Sequence, residues 1–333
     1  MGHLKTAVTS FSRSQASQVV FSDDAIVKLL KFCTSLSQFE IVHAVSLKTC
    51  AIRDCFFANQ FITACCLSGN VHYANLVYAQ MDNRNAFVYN AMIRGFASWH
   101  NPYNAFQIFY GMLNEGISPS SYTFSSLISA CSWASDSRVG YSVHSHVWKN
   151  GLETDLYVQT SLLVFYSKIG RKMEFLNQFR EMHNRDAFAW TTAISGLIRI
   201  GDLIAAKKLF DSMPEKSISS WNALLDGYAR GEDIENAENL FNLMPERDNV
   251  TWTIMINCYC KSRKFEDALR VFDKMLEDGA HPDEVTVSSL ISACGNFGAL
   301  EIGRELHYLS MLKQFHSDVY IGSALVDMYA KCD

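Results

Sequence analysis

Five prolines in 333 residues, no cysteine pair spaced CxxC and no apolar run approaching 18 residues set the first limits on this chain. Proline scarcity excludes collagen-like and linker-rich classes, and short apolar runs exclude a transmembrane helix. Ten cysteines without a convergent spacing give zinc no ligand set, so most are read as free thiols in reducing surroundings, many of them buried. The chain also lacks an excess of positive charge: its formal net charge of −5 argues against strong sequence-blind attraction to duplex DNA. A ligand read through base contacts stays open. No G-x-x-x-x-G-K-[ST] loop, G-x-S-x-G elbow, H-E-x-x-H helix or H-x-E ligand pair occurs. The expectation is therefore a protein that is not an enzyme, with no catalytic residue, no metal, no cofactor and no small-molecule substrate.

What is present is repetition. Hydrophobic residues make up 49% of the chain, enough for a large core. Met182, Met213, Met244 and Met275 stand 31 residues apart, as do Met81 and Met112. Before them recur Ala74, Val77, Tyr78; Ala105, Ile108, Phe109; Ala206, Leu209, Phe210; Ala237, Leu240, Phe241; and Ala268, Val271, Phe272. With the methionine these fall at offsets 0, 3, 4 and 7, one face of a helix. The set Phe175, Gln178, Phe179 before Met182 departs from the rule, and looser packing or an outward shift of the helix is expected there. A second apolar helix precedes each of these, as in Trp221-Asn222-Ala223-Leu224-Leu225, with turn residues such as Gly201-Asp202 between the two. The unit is an antiparallel helical hairpin.

The heptamer Ser125 to Cys131 returns unchanged as Ser288 to Cys294, and His144 and His307 each follow 13 residues after the cysteine. A degenerate copy has Leu29, Leu30, Cys33 and His43. The histidines are assigned a packing or hydrogen-bonding role. The heptamers lie 163 residues apart, which two 35-residue and three 31-residue units fill without remainder. One register then gives hairpins at about 23–54, 55–85, 86–120, 121–155, 156–186, 187–217, 218–248, 249–283 and 284–318, with a partial unit at 319–333. Stacked hairpins share a continuous core, so residues 23–333 are expected to form an all-α, right-handed superhelical solenoid. A solenoid stopping after one helix would expose core, so either another chain covers that edge or, the favoured expectation, the sequence is a piece of a longer protein. Residues 1–22, basic, Ser-rich and without acid, suit either an organelle transit peptide or an ordinary frayed terminus.

The run Val250-Thr251-Trp252-Thr253-Ile254-Met255-Ile256, then Lys264-Phe265-Glu266-Asp267-Ala268-Leu269-Arg270-Val271-Phe272-Asp273-Lys274-Met275 and Gly279-Ala280-His281-Pro282-Asp283, resembles the pentatricopeptide repeat family. Mixed 35- and 31-residue units resemble its plant subclass with long and short repeats. The resemblance implies single-stranded RNA binding at one nucleotide per repeat, read by the fifth residue of each first helix and the last residue of the unit. The implied pairs are Asn59 with Asn85, Asn90 with Ser120, Thr160 with Asp186, Thr191 with Ser217, Asn222 with Asp248, and Thr253 with Asp283. Ser125 with Asp155 and Ser288 with Asp318 occupy matching places. From the 55–85 unit onward the implied bases are a pyrimidine, C, unspecified, G, a weak A or C, U, G and unspecified. Residues at the second position, Phe56, Phe87, Tyr157, Phe188 and Val250, are expected to wedge against bases, with Ser219 as the exception.

Chemistry leaves a purely structural alternative beside this. Asp155, Asp186, Asp248, Asp283 and Asp318 each precede a helix, where a carboxylate caps free N–H groups for about 1 kcal/mol. At the level of function, the resemblance implies a non-catalytic adaptor for organellar RNA in a mitochondrion or chloroplast, foremost in C-to-U editing, otherwise in cleavage, splicing or stabilisation. Its expected partners are single-stranded RNA and a protein effector such as an editing factor, and a protein-binding scaffold is the rival reading.

Overall fold

The structure, a computed structural model, describes residues 23–134 and 137–332; the segment 1–22, read above as a transit peptide or frayed terminus, lies outside them. Among the described residues there are nineteen α-helices and no strand. In chain order these are α1 (Asp23–Leu30), α2 (Leu36–Lys48), α3 (Cys55–Leu67), α4 (Val71–Ala79), α5 (Ala86–Ser98), α6 (Pro102–Asn114), α7 (Ser121–Ala134), α8 (Ser137–Lys149), α9 (Leu156–Lys168) and α10 (Lys172–Glu181). They continue with α11 (Ala187–Ile200), α12 (Leu203–Ser212), α13 (Ile218–Arg230), α14 (Ile234–Leu243), α15 (Asn249–Lys261), α16 (Phe265–Glu277), α17 (Glu284–Phe297), α18 (Leu300–Leu312) and α19 (Val319–Cys332). The chain divides into two compact units, one reaching Ile169 and including Arg180–Met182, the other made of Gly170–Phe179 and everything from His183.

Each unit is a stack of hairpins in chain order. In the first, α1, α3, α5, α7 and α9 pack one against the next, and α4, α6 and α8 fold back on the first helix of their own hairpin. In the second, α11, α13, α15, α17 and α19 form the equivalent row, backed by α12, α14, α16 and α18. The alanines at offset 0 explain the close approach: Ala74, Ala105, Ala206, Ala237 and Ala268 are all completely buried. Aromatic pairs bind one hairpin to the next, with Tyr78 edge-on to Tyr89, Phe210 to Trp221 and Phe241 to Trp252.

The two repeat lengths have different closures. In 31-residue hairpins a basic residue returns to the end of the second helix, as when Arg84 Nε donates to the Tyr78 carbonyl with its guanidinium 4.6 Å from the Tyr78 ring centre. Arg185 on Phe179 and Arg247 on Phe241 repeat the contact. Such a cation serves orphan carbonyls at the negative end of the helix dipole. Three of the four 35-residue hairpins instead turn through Gly116, Gly151 and Gly279, at φ of +72°, +67° and +72°, a conformation that favours glycine, and the fourth turns through Gln314 at +61°.

The recurring histidines each meet a tyrosine of the next hairpin, His43 one on its second helix and His144 and His307 one on its first. His43 Nδ1 lies 2.9 Å from the Tyr73 hydroxyl, His144 Nδ1 lies 2.6 Å from that of Tyr166, and His307 Nδ1 lies 2.9 Å from that of Tyr329. Hydrogen bonding between helices is thus their role. All ten cysteines are free, and burial pushes Cys66, Cys260 and Cys294 up to about 12, holding them as thiols. No group of three or more His, Cys, Asp or Glu that could hold a metal occurs among the described residues. Nor is any described helix long and apolar enough to cross a membrane.

Candidate nucleic-acid interface

The fifth residue of a first helix sits one turn inside it, close to the cap of the next first helix. In α13 this brings Asn222 Nδ2 to 3.0 Å from Asp248 Oδ1, and in α5 it brings Asn90 Nδ2 to 3.4 Å from Ser120 Oγ. Two of the paired positions therefore meet. A third pair is bridged: Thr253 Oγ1 lies 2.7 Å from Thr286 Oγ1, which donates to Asp283 Oδ1. Asn59 and Asn85 are not hydrogen-bonded to one another; Asn85 caps α5 through the Val88 N–H. Thr191 returns its hydroxyl to the Ala187 carbonyl, and Ser217 caps α13 through the Ser220 N–H. Thr160 and Asp186 fall in different units, Thr160 donating to the Leu156 carbonyl and Asp186 capping α11 through the Ala189 N–H.

Exposure grades these positions. Asn59, Asn90 and Thr191 are half-buried, whereas Thr160, Asn222 and Thr253 are only 5%, 8% and 8% exposed. Their caps are more open, Asp248 and Asp283 half-buried and Asp186 exposed. Asp155, Asp186, Asp248, Asp283 and Asp318 all accept the N–H three residues on, so the capping role expected on structural grounds is present. Each carboxylate keeps acceptor capacity beyond that bond. Burial pushes the Asp248 carboxyl upward, but bonds from the Thr251 N–H, the Asn222 amide and the Thr251 hydroxyl together hold it below its ordinary value.

Beside the caps stand the second-position side chains. Phe56, Phe87, Tyr122, Tyr157 and Phe188 are exposed, and the rings of Tyr122 and Tyr157 are inclined by 30° with centres 6.4 Å apart. Exposed aromatics of this size cost solvation unless something flat covers them.

A set of cations was missed in the sequence. Lys168, Arg199, Arg230, Lys261 and Lys331 end α9, α11, α13, α15 and α19 at one register, where α3, α5 and α7 have Leu67, Ser98 and Trp133. The 31-residue spacing of the first four is the signal that could have found them. Acid stands beside two of them, Arg230 pairing with Asp226 and Lys331 with Asp327 at 2.7 Å within their own helices, while Glu235, Glu238, Glu266, Asp267, Asp273 and Glu277 lie on the second helices α14 and α16. In the second unit an open groove of about 820 Å³ runs past Asn257, Lys261, Ser288, Ser292, Asn296 and Asp327. Its lining of amides, hydroxyls and a lysine offers contacts to bases, sugars and phosphates alike.

Comparison with known proteins follows the same register. The pattern of the PPR repeat family matches residues 84–132 and 247–296, and that of the single PPR repeat matches 188–218 and 219–249. A pentatricopeptide repeat-containing protein of Arabidopsis thaliana is 52% identical over 305 residues, covering 92% of this chain and 52% of that protein. Another from the same plant, named chloroplastic, is 36% identical over 304 residues, 91% of this chain and 60% of its own. A third, named mitochondrial, is 31% identical over 307 residues, 91% of this chain and 42% of its own. The chain thus spans about half the length of these curated relatives. Among solved structures, the pentatricopeptide repeat protein PPR10 in complex with an 18-nt psaJ RNA element superposes with a TM-score of 0.62 at 19% identity, covering 97% of this chain and 50% of that one. This likeness shows a shared helical-hairpin fold.

Proposed function

The chain belongs to the pentatricopeptide repeat family, and from that premise we propose that it binds single-stranded RNA in a sequence-dependent way, one base to a hairpin. The observation that carries this reading is the meeting of the fifth residue with the following cap, Asn222 with Asp248 and Asn90 with Ser120, beside an exposed second-position row. Stacking on Phe56, Phe87, Tyr157 and Phe188 supplies affinity whatever the base, about 1–3 kcal/mol each. Direction comes from the polar pair, and the helix-end cations meet the phosphates. Local positive charge at these helix ends works against a net charge of −5, and Arg230 and Lys331 exchange their pairing with Asp226 and Asp327 for a phosphate.

The wider role we propose is an adaptor that positions a transcript for C-to-U editing by a protein effector, with the chemistry supplied outside these hairpins; relatives named chloroplastic and mitochondrial support the organelle alone. The mixed 35- and 31-residue hairpins support the plant subclass with long and short repeats. RNA carrying G opposite 156–186, U opposite 218–248 and G opposite 249–283 should bind more tightly than RNA with both G sites changed. Equal affinity in a filter-binding or fluorescence titration would count against base reading. The double change Asn222→Thr with Asp248→Asn should move the preference of its hairpin from U toward A. A pull-down with and without ribonuclease separates this function from a protein scaffold, since RNA-bridged partners vanish on digestion.

A further inference from the structure

Three hairpins carry asparagine at the fifth position, and what lies beneath it differs. Under Asn90 is Thr123, completely buried, whose Oγ1 accepts the Ser120 backbone N–H at 3.0 Å and donates to Asn90 Oδ1 at 2.6 Å. Under Asn222 is Thr251, also completely buried, whose Oγ1 accepts the Asp248 backbone N–H at 3.2 Å and lies 2.7 Å from Asn222 Oδ1. Under Asn59, at the same register, is Val88.

An asparagine amide can rotate by 180° with little change of shape, exchanging donor for acceptor. A backbone N–H cannot. Because the cap N–H fills an acceptor site of the threonine oxygen, the hydroxyl proton of Thr123 is left to point at the Asn90 amide, whereas that of Thr251 is shared between the Asn222 amide oxygen at 2.7 Å and the Asp248 carboxylate at 2.8 Å. The amide oxygen is thereby drawn inward and both Nδ2 hydrogens turn outward, one toward the cap and one toward the open side.

We propose that Thr123 and Thr251 are positioning residues that fix the amides of Asn90 and Asn222 with the N–H side outward, so that these hairpins select a base edge presenting an acceptor. This rests on the RNA reading above and adds residues that do not themselves touch the base. The three hairpins form a graded series. Asn59 has no such fixing group, since valine offers no hydroxyl. Asn90 has one, because Ser120 opposite its Nδ2 is a neutral hydroxyl that tolerates either amide orientation. Asn222 has two, because an inverted amide would set its oxygen against the Asp248 carboxylate, 3.0 Å from the present nitrogen. Base selectivity should rise in the order 55–85, 86–120, 218–248.

Valine matches threonine in shape and lacks the hydroxyl, which makes Thr123→Val the decisive variant. Selectivity is the ratio of affinities for RNAs differing only in the base opposite one hairpin. Thr123→Val should reduce it about fivefold at 86–120 alone, Thr123→Ser should restore it, and Thr251→Val should have a smaller effect at 218–248. Val88→Thr should raise selectivity at 55–85. In RNA-free protein, the Asn90 side-chain amide protons, followed by NMR, should lose their fixed environment in Thr123→Val and regain it in Thr123→Ser. Unchanged selectivity in Thr123→Val, or an Asn90 amide indifferent to that change, would overturn the assignment. Wild-type protein blind to the base at all three hairpins would instead overturn the RNA reading. The amide signals, recorded without RNA, keep the two failures apart.

Discussion

Hairpins 55–85 and 218–248 are equal in length and carry asparagine at the same place, yet they surround it with opposite resources. In the first, an exposed Phe56 stands at the second position, the first helix ends in Leu67 and the cap of the next is Asn85. Ser219, Arg230 and Asp248 hold those places in the other. Asn59 has no hydrogen bond among the described residues beyond its own helix ladder, whereas Asn222 is held by Asp248 and Thr251. One hairpin is built to stack and the other to direct. The same residue at a reading position therefore does not guarantee the same chemistry, because selectivity is a property of the amide together with what orients it.

The scaffold should not share this difference. Tyr89 packs edge-on to Tyr78 behind the first hairpin, and Trp252 packs edge-on to Phe241 behind the second, both rings buried. Tyr89→Ala and Trp252→Ala should each cost about 3–5 kcal/mol of stability, since a large cavity opens between hairpins. Urea denaturation followed by circular dichroism measures it; a loss confined to one variant would mean that the hairpins differ in core as well as in site. Next in size is the exchange of stacking groups. Ser219→Phe should strengthen RNA binding and Phe56→Ser should weaken it, by about 1–3 kcal/mol in opposite directions. Neither change should alter which base is preferred, a separation that titration with single-base variants of the RNA tests.

How the hairpins stack was legible in the sequence because burial at a helical period is a local signal: Ala237, Leu240, Phe241 and Met244 announce one face, and all four are buried. The two lengths were visible too, but not their closures. Arg84, Arg185 and Arg247 look like ordinary loop charges until their guanidinium groups are seen on the rings of Tyr78, Phe179 and Phe241. Among site residues, the caps could be placed because an Asp before a helix has one obvious bond to make. Thr123 and Thr251 could not, since a threonine three residues past a cap reads as a modest helix former. Only the spacing to Asn90 and Asn222 joins them, and it changes from 33 to 29 residues with repeat length. The helix-end cations recur at 31-residue intervals, but a charge at a helix end carries no burial period of the kind that marks the methionines.

Acid should separate the two regions last and most gently. Burial lowers the His43 pKa below its ordinary value, and His43 reaches from α2 to Tyr73 on α4 of the 55–85 hairpin. The native state therefore binds fewer protons than the unfolded chain, and stability falls as pH drops through the usual histidine value of about 6.5. Asp248 obeys the same sign in a lower window. Its carboxyl is held below its ordinary value, so its contribution is complete above about 3.9 and is lost only as pH falls further, through the native pKa. Between these windows the first hairpin should loosen while the Asn222 site keeps its bonds. Hydrogen exchange at a series of pH values from 7 to 4.5 should show earlier loss of protection around Tyr73 than around Asn222, and His43→Gln should flatten the difference. Loss of protection at the two places in step would mean that burial of the histidine is not what distinguishes them.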